Sequence, residues 1–379
     1  MNVKHFFSNT FCLLALSVLT SLSFSACSSD DDSWDDSGST VTLPDSRVYI
    51  LNEGTMGSNN SNIEFYAPNG DADIISNFFY TQNSAKLGDT GQDMITYNND
   101  IYVSVNGSNY INRLNAAGVE QARHLFNSDS DSDMTGGIRY LAAKGGYIYA
   151  SLYGGVIAKI NAKTLEVEDK LTGIGNNLEG ITICNNNLYV ANSYKIENGS
   201  YIYMTDVFVI DLNTFTLTDT LTVTQNPNKL ITADNKVFLI SWDYSAESYV
   251  LQMIDPSNNN VTRLGYATNM AAGDGIVYLI DSRTDYSNWP ETSTINAFSS
   301  YNISTGEMNS SSYLQNIPSE LSSTSISMIQ VNPNNGDIYI GTTFYSNSNG
   351  NIYRFTKNGA FVEKFDCGGQ TPTQAVFLN

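Results

Sequence analysis

A pattern that recurs seven times constrains the fold of this 379-residue chain more than any other sequence feature. Each copy has an apolar strand, a tight turn of Asn, Gly and Asp, and a second strand with an aromatic residue near its start. Six copies are DMITYNNDIYVSVNG from Asp93, RYLAAKGGYIYASLYG from Arg139, EGITICNNNLYVANSY from Glu179, KLITADNKVFLISWDY from Lys229, NMAAGDGIVYLIDSR from Asn269 and SMIQVNPNNGDIYIGTTF from Ser327. The seventh is split between VYILNEG at Val48 and QAVFLN at Gln374. A repeat of this length predicts an architecture built from one repeated unit.

Two further strands complete each copy. A short third strand, such as IAKIN at Ile157 or LQMID at Leu251, is followed by a turn and a more polar fourth strand. Four short strands joined by such turns are typical of consecutive hairpins. The split copy lets the last strand complete the blade that the first strands begin, which closes a ring and leaves only short outer edges. We therefore predict an all-β, seven-bladed β-propeller with four-stranded blades, closed by pairing of the C-terminal strand with the N-terminal blade. A β-sandwich or a β-solenoid would not require the split copy.

The first residues differ from the repeats and predict export. The apolar stretch from Phe11 to Leu22 is too short for the roughly 20 residues that a membrane-spanning helix needs. The small residues before Cys27 resemble a bacterial lipobox, which implies that Cys27 is lipidated and becomes the first residue of the mature chain. Ordinary signal cleavage beside an incidental cysteine is the alternative. The resulting domain prediction is a signal peptide over 1–26, an acidic flexible tether over 27–45 and the propeller over 46–379.

The acidic stretch after Cys27 bears on localisation. It begins Ser-Ser-Asp-Asp-Asp and has too few apolar residues to form a packed core. This start resembles the signal that carries lipoproteins of some Gram-negative bacteria to the outer face of the outer membrane. The resemblance implies a lipid-anchored protein exposed at the cell surface, and a spacer on a periplasmic lipoprotein is the alternative. The formal net charge of −20 repels phosphate backbones, so we predict no nucleic-acid partner.

Few residues are available for metal or nucleophilic chemistry. After removal of 1–26 the sequence retains one histidine, His124, which excludes clustered histidine metal sites and weakens the case for a Ser-His-Asp triad. Asp129, Asp131 and Asp133 match the first half of a calcium loop, but the required Gly and bidentate Glu are missing. We interpret these residues as a solvated acidic loop, with a weak calcium site as the alternative, and predict no cofactor.

The cysteines of the repeat region argue against a disulfide. Cys184 falls on an inner strand of one repeat, and Cys367 precedes the last strand of the chain. These positions belong to distant parts of the ring, whereas a disulfide needs Cα atoms within about 7 Å. We therefore predict that both are small buried residues with free thiols.

The loops predict two different faces. In a propeller, the turns between strands one and two and between strands three and four lie on one face, and the remaining loops lie on the other. The first set is short and uniform, whereas the second is long and aromatic. Aromatic side chains displayed with Asn, Ser and Arg suit a broad ligand with apolar faces and many amide or hydroxyl groups, although packing of loop on loop is the alternative. The candidate ligand-binding residues are Asn52, Tyr110, Tyr153, Tyr194, Trp242, Tyr244, Arg283, Tyr286, Trp289, Phe344 and Tyr345.

The blade pattern resembles YncE-like and surface-layer-type seven-bladed propellers. Within that group, the runs RVYILNEGTMGSNNSNIEFYAPNG and LGDTGQDMITYNNDIYVSVNGSNYI are similar to those of BtuG-type surface lipoproteins that capture vitamin B12. The resemblance covers residues 46–379. It implies non-enzymatic binding of cobalamin or cobinamide on the loop-rich face and hand-over to a TonB-dependent outer-membrane transporter. We expect no cobalt–histidine bond, because His124 is predicted on an outer strand.

Two other functions remain open. A cell-surface adhesin or glycan-binding propeller would use the same aromatic loops. A calcium-dependent lactonase-type hydrolase would need an acidic cage around the channel, for which Glu53, Asp93 and Glu179 are the candidates. Ordinary hydrogen bonding within the protein is the simpler role for these three residues. The fold alone does not choose among these functions, because propellers host many of them.

Overall fold

Seven antiparallel sheets of four strands each make up the fold. The computed structural model describes residues 34–68, 74–246, 248–285, 287 and 293–379. The first blade holds β1 (Arg47–Asn52), β2 (Asn62–Tyr66) and β3 (Ile74–Ile75), followed by the helix α1 (Phe78–Asn83). The second blade consists of β4 (Gly91–Tyr97), β5 (Asp100–Val105), β6 (Tyr110–Leu114) and β7 (Glu120–Leu125), and a 3-10 turn follows at Asp129–Asp131.

The other blades repeat the same order of strands. The third consists of β8 (Ile138–Lys144), β9 (Tyr147–Leu152), β10 (Val156–Asn161) and β11 (Val167–Leu171), and the fourth of β12 (Asn177–Cys184), β13 (Asn187–Glu197), β14 (Ser200–Asp211) and β15 (Thr216–Thr222). The fifth consists of β16 (Pro227–Ala233), β17 (Lys236–Asp243), β18 (Ser248–Asp255) and β19 (Asn260–Tyr266), and the sixth of β20 (Asn269–Gly273), β21 (Ile276–Asp285), β22 (Ser293–Asn302) and β23 (Glu307–Asn309). A 3-10 turn at Ser319–Ser322 precedes the seventh blade, which consists of β24 (Ile326–Val331), β25 (Ile338–Thr342), β26 (Asn351–Phe355) and β27 (Phe361–Asp366), and β28 (Pro372–Leu378) ends the chain.

The chain closes into a ring through its last strand. β28 pairs antiparallel with β1 in the register Val48↔Phe377 and Ile50↔Ala375, so the innermost strand of the first blade comes from the C-terminus. The innermost strands contact one another in the cyclic order β28, β4, β8, β12, β16, β20 and β24. The predicted seven-bladed propeller and its mode of closure are therefore confirmed.

The tight turns follow from their residues. Asn98 and Asn99 both have positive φ and link β4 to β5 in a two-residue turn, which matches the primed turns that suit the twist of paired strands. Asp234 and Asn235 do the same between β16 and β17. Short polar side chains tolerate this backbone conformation better than other non-glycine residues, so the turns are encoded locally.

The aromatic residue that recurs in the second strand of each blade joins neighbouring blades. The Tyr49 hydroxyl donates to Ala116 O at 2.6 Å, and the Tyr102 hydroxyl donates to Ala162 O at 2.9 Å. Each acceptor lies in the turn between the third and fourth strands of the next blade. Further around the ring, the equivalent Phe238 packs on Tyr301 with ring centroids 5.9 Å apart. The repeated aromatic residue is therefore the side chain that packs blade against blade.

The two described cysteines and His124 lie where the sequence predicts them. Cys184 and Cys367 are free and buried, and burial raises the pKa of the Cys367 thiol to about 12. His124 lies on β7, the outermost strand of its blade. Cys27 and the predicted signal peptide lie outside the described residues. In the part of the chain that the structure describes, no helix has the length and apolar character needed to cross a bilayer.

Residues 34–46 differ from the predicted free tether, because they are held against the propeller. Trp34 donates its indole N–H to Asn379 O at 2.7 Å, and its ring packs on the core together with Val41 and Leu43. Asp36 forms a salt bridge of 2.7 Å with Arg47, whose side chain is 1% exposed. The stretch is acidic overall, but these three apolar residues, the ion pair and hydrogen bonds such as Thr40 N–H to Gln82 Oε1 at 2.8 Å dock it. We call residues 34–46 the N-terminal strap.

We predict that the strap contributes to stability through Asp36. In an Asp36→Ala variant the buried Arg47 guanidinium keeps Ala116 O as an acceptor, at 3.3 Å, but loses its carboxylate. Because Asp36 itself is 38% exposed, we expect a cost below that of a fully buried pair, on the order of 1 to 2 kcal/mol, and a lower denaturant midpoint. Adding Arg47→Met should restore part of the loss, since it removes the unpaired charge. Asp45→Ala is the control, because it removes the same charge from an exposed position of the strap. Equal stabilities of Asp36→Ala and Asp45→Ala would contradict a docked strap.

Candidate functional site

A cavity of about 560 Å³ opens at the end of the central channel where the innermost strands begin. All seven innermost strands contribute to its wall, through Gln92, Arg139, Gly180, Lys229, Asn269, Ser327 and Gln374. Above them lie Glu53 and Tyr345, from loops between second and third strands, and Trp242, near the end of the second strand β17. The cavity therefore lies on the face that the sequence predicts to be the binding face.

Two long hairpins extend this face. β13 and β14 contain 11 and 12 residues, whereas the equivalent β5 and β6 contain six and five. β21 and β22 contain ten residues each. At about 3.3 Å per residue, the longer strands reach well beyond the neighbouring blades. Exposed apolar side chains gather on these hairpins and on the adjoining loops, namely Met56, Ile196, Tyr201, Ile202, Tyr244, Ile295, Phe344 and Tyr345.

Aromatic rings form a wall along the fourth and fifth blades. Tyr194 packs between Tyr153 and Tyr201, with ring centroids 6.0 Å and 5.3 Å away. On the fifth blade, Tyr244 contacts Tyr203 of the fourth blade at 5.7 Å and Trp242 at 6.5 Å. Tyr249 lies 6.2 Å from Trp242 and completes the group. We call these seven residues the aromatic wall; it borders the cavity at Trp242 and Tyr249.

Most of the predicted ligand residues that the structure describes lie on this face. Tyr153, Tyr194, Trp242 and Tyr244 belong to the aromatic wall, and Tyr345 lines the cavity next to Phe344. Arg283 lies in a second, adjoining groove. Tyr286 and Trp289 lie outside the described residues. Tyr201, Tyr203 and Tyr249 are additional members that the sequence prediction missed, although their place in long Tyr-rich strands could have indicated them.

The prediction that Asn52 and Tyr110 contact a ligand differs from the structure, because both side chains are buried within their blades. The Asn52 carboxamide donates to Asn62 Oδ1 at 2.8 Å and to Cys367 O at 2.7 Å. The Tyr110 hydroxyl donates to Leu87 O, and the Arg123 guanidinium lies 4.2 Å from the centroid of its ring. Neither residue lines the cavity. Both stand at a strand end, where the sequence does not distinguish a side chain that faces the loops from one that faces the sheet.

The adjoining groove, of about 900 Å³, lies between the fifth and sixth blades. Tyr244, Tyr249 and Tyr266 supply aromatic surface, and Arg283 supplies a cation whose side chain is 72% exposed. Asp281 holds Arg283 through a contact of 2.9 Å. The groove therefore extends the cavity with a second mixed aromatic and polar surface.

A polar cluster crosses the second to fourth blades inside the cavity. The Arg139 guanidinium donates to Glu179 Oε2 at 2.7 Å and 3.0 Å and to Gln92 Oε1, and the Tyr153 hydroxyl donates to Glu179 Oε1. Burial opposes the charge on Arg139, but Glu179 together with Tyr153 and Tyr140 outweighs it and raises the pKa of Arg139. The site prediction missed Gln92 and Arg139. Each is a polar residue near the start of an innermost strand, β4 and β8, and this position could have indicated it.

Asp93 joins the same strands by a second route. Its carboxylate accepts the Leu141 N–H at 2.8 Å, the Met94 N–H at 3.0 Å and the Gln374 amide at 2.8 Å. Burial raises the pKa of Asp93 to about 6, and these hydrogen bonds act in the opposite direction. Asp93 and Glu179 thus have the internal hydrogen-bonding role that the sequence offered as the simpler one.

The acidic cage of a lactonase has little support from these contacts. Burial raises the pKa of Glu53, as does Glu179, whereas Arg139 lowers it. Across the described residues there is no group of three or more His, Cys, Asp or Glu side chains placed to hold a metal ion. In the candidate calcium loop, Asp131 bonds to Ser128 at 2.6 Å, and Asp133 pairs with Lys170 at 2.6 Å. The side chain of Asp129 is not among those that the structure describes.

Comparison with known proteins supports the fold and leaves the ligand open. Residues 47–206 match the family model described as a domain of unknown function, DUF5074. The matched region covers β1 to β3 of the first blade, the second and third blades, and part of the fourth. Among curated proteins, none matches this chain.

Solved structures share the architecture. A quinonprotein alcohol dehydrogenase-like protein from Bacteroides thetaiotaomicron aligns with a TM-score of 0.61 and 15% identity, over 88% of this chain and 78% of that one. Two proteins named as 6-phosphogluconolactonases also align, one from Bacteroides uniformis (TM-score 0.58, 12% identity, 88% of this chain and 100% of that one) and one from Bacteroides fragilis (0.57, 14%, 89% and 100%). At these identities the likeness concerns the fold alone.

We predict a pH-dependent effect of Asp93→Asn. In the folded protein Asp93 keeps its proton up to a pKa of about 6, against 3.8 as its ordinary value. Between pH 4 and 6 the folded state therefore binds more protons than the unfolded state, and the free energy of unfolding falls as the pH rises. The Asn variant lacks this titrating group, so its free energy of unfolding does not fall in this way. Relative to the unmodified protein, its free energy of unfolding should therefore rise by up to roughly 3 kcal/mol between pH 4 and 7. Denaturant unfolding at several pH values measures this. Asp169→Asn, at an exposed position, is the control: its free energy of unfolding should differ from that of the unmodified protein by the same amount at every pH. A difference for Asp93→Asn that is likewise independent of pH would contradict the prediction.

Proposed function

We propose that this protein is a non-enzymatic binding protein that holds a broad ligand of the corrinoid class, cobalamin or cobinamide, on its loop-rich face. The observation that carries the proposal is the aromatic wall beside the channel cavity. Aromatic faces cover flat apolar surface at low entropic cost, because each ring has few rotatable bonds. A cavity with a groove beside it suits a ligand wider than a single sugar or amino acid.

Polar groups around the wall match a ligand with a rim of amides. The Trp242 indole N–H is buried and has no acceptor among the described residues, which makes it a candidate donor to a ligand. Arg283 adds donors in the groove, and Ser282 and Thr284 add hydroxyl groups along its edge. The similarity of the first two blades to BtuG-type lipoproteins supports a corrinoid over other broad ligands. A catalytic role has less support, because Asp93 and Glu179 are engaged in internal bonds.

We predict that Tyr244→Ala weakens corrinoid binding by about tenfold or more. Tyr244 is 48% exposed and contacts three other rings of the wall, and loss of a central aromatic contact typically costs more than about 1 kcal/mol. Calorimetric titration with cyanocobalamin and with cobinamide measures the affinity. Tyr80→Ala is the matched control, because Tyr80 is 51% exposed but lies on α1, away from the cavity and the groove.

The outcomes separate the candidate functions. No heat with either corrinoid at micromolar protein would refute the corrinoid proposal. Binding of oligosaccharides on a glycan array in its place, lost in Tyr244→Ala, would assign the same wall to a glycan-binding surface protein. Equal loss of affinity in Tyr244→Ala and Tyr80→Ala would show that the face has been assigned wrongly.

We also propose that lipid on Cys27 anchors the protein to the outer membrane with the propeller exposed at the cell surface, where it passes its ligand to a TonB-dependent transporter. Support comes from the lipobox-like residues before Cys27 and from the acidic stretch after it. A protein held near its partner by lipid needs little affinity of its own for that partner, since both stay in one membrane.

We predict that Cys27→Ser abolishes lipid labelling. Cells fed an alkyne fatty acid should label the intact protein, and the label should disappear in this variant, because a serine oxygen does not replace the thiol that accepts the lipid. Cys184→Ser is the control, because this buried thiol is not a lipid acceptor and its loss should leave labelling unchanged. Labelling that survives Cys27→Ser would refute the anchor. Protease treatment of intact cells then tests surface exposure.

A further inference from the structure

One half-buried cation of the cavity, Lys229, differs from the other enclosed cations. Arg47, Arg139 and Arg354 each pair with a carboxylate at 2.8 Å or less. Lys229 has no such partner among the described residues: its ammonium contacts Asn269 Oδ1 and, at 3.4 Å, Thr268 O. A buried charge is costly unless a counter-charge or a full set of hydrogen bonds compensates for it. In a chain with 38 acidic and 18 basic residues, a carboxylate partner would have been easy to supply.

The burial of Lys229 has a measurable consequence. Desolvation lowers the pKa of its amine to about 8, and no carboxylate acts against this effect. Perturbed groups in a cleft are candidates for function, because the protein bears the cost of keeping them.

Lys229 lines the cavity together with a second donor that lacks an acceptor. Trp242 lies on the neighbouring strand of the same blade, and its buried Nε1–H has no hydrogen-bond partner in the part of the chain that the structure describes. The acidic groups of the cavity, Glu53 and Asp93, lie on the first and second blades, where both interact with Arg139. The fifth blade therefore supplies a cation at the cavity and, on the adjacent strand, a buried indole N–H without an acceptor among the described residues, and no carboxylate pairs with either.

We infer that this part of the cavity binds an anionic group, a carboxylate or a phosphate, with the Lys229 ammonium as its counter-charge and the Trp242 indole N–H as a second donor. Asn269 orients the ammonium through its side-chain oxygen. The inference does not depend on a corrinoid as the ligand, because it concerns one functional group and one wall of the cavity. It adds the prediction that the physiological ligand carries an anionic group, which among the proposed corrinoids cobalamin supplies as a phosphodiester and cobinamide lacks.

Thermal unfolding in sodium phosphate, sodium acetate and sodium chloride at equal ionic strength and pH 7 tests the inference. Binding to the folded state raises the melting temperature, by on the order of 2 °C at ten times the dissociation constant. Phosphate also stabilises proteins by exclusion from their surface, so the specific effect is the difference between variants. Lys229→Met should lose the anion-specific shift. Lys159→Met should keep it, because Lys159 likewise forms no salt bridge with any described carboxylate but stacks on Tyr147 outside the cavity.

The three salts also separate the two anions, because a shift in acetate alone assigns a carboxylate and a shift in phosphate alone assigns a phosphate. In chloride, Lys229→Met should melt higher than the unmodified protein, since it removes an unpaired buried charge. An anion-specific shift that persists in Lys229→Met, or its absence from the unmodified protein, would overturn the inference.

A second measurement does not require the Lys229 variant to fold. Nuclear magnetic resonance of the lysine Cε carbons follows the titration of Lys229 in the unmodified protein, and a bound anion should raise its pKa above about 8. The other charged groups that line the cavity are Glu53, Asp93 and Arg139, and the Trp242→Phe variant leaves all of them in place. That variant should weaken the effect of the anion on Lys229. A pKa of Lys229 that neither anion changes would contradict the inference.

Discussion

The pairing of β28 with β1 is the contact on which the rest of the structure depends. Each blade has two apolar faces, and only a closed ring gives every face a neighbour. The C-terminal strand supplies the innermost strand of the first blade, so closure takes place inside a sheet, through backbone hydrogen bonds, as well as between sheets. The strap then covers this junction, because Trp34 bonds to the last residue of the chain, Asn379.

Hydrogen bonds between innermost strands continue this closure around the channel. They bridge all seven junctions, through Gln374–Asp93, Asp93–Leu141, Arg139–Glu179, Thr182–Thr232, Lys229–Asn269, Asn269–Ile326 and Ser327–Pro372. The polar groups that line the channel are therefore used mainly to join blades. The Trp242 indole N–H differs from these groups, because it has no acceptor among the described residues, and the proposed binding function uses it as a donor.

The sequence predicted the elements that local chemistry encodes. Turns such as Asn98-Asn99 and the recurring aromatic residues are visible in the chain, and they led to the number of blades and to the binding face. Predictions about single side chains were less accurate where they depended on packing. Asn52 stands at a strand end like Trp242, but it is buried against Asn62 and Cys367, which no local pattern shows. The strap was missed for a similar reason, since its acidic composition hid the few apolar residues that dock it.

The sequence by itself determined the repeat, the split copy that closes the ring, and the division into a plain face and an aromatic face. These features depend on strand alternation and turn chemistry, which act between residues close together in the chain. Only the tertiary structure decided which polar groups meet in the channel. Asp93 and Gln374 are 281 residues apart, and Arg139 and Glu179 belong to different blades. Their meeting, and the isolation of Lys229 from any carboxylate in the described structure, follow from the way the blades pack around one axis.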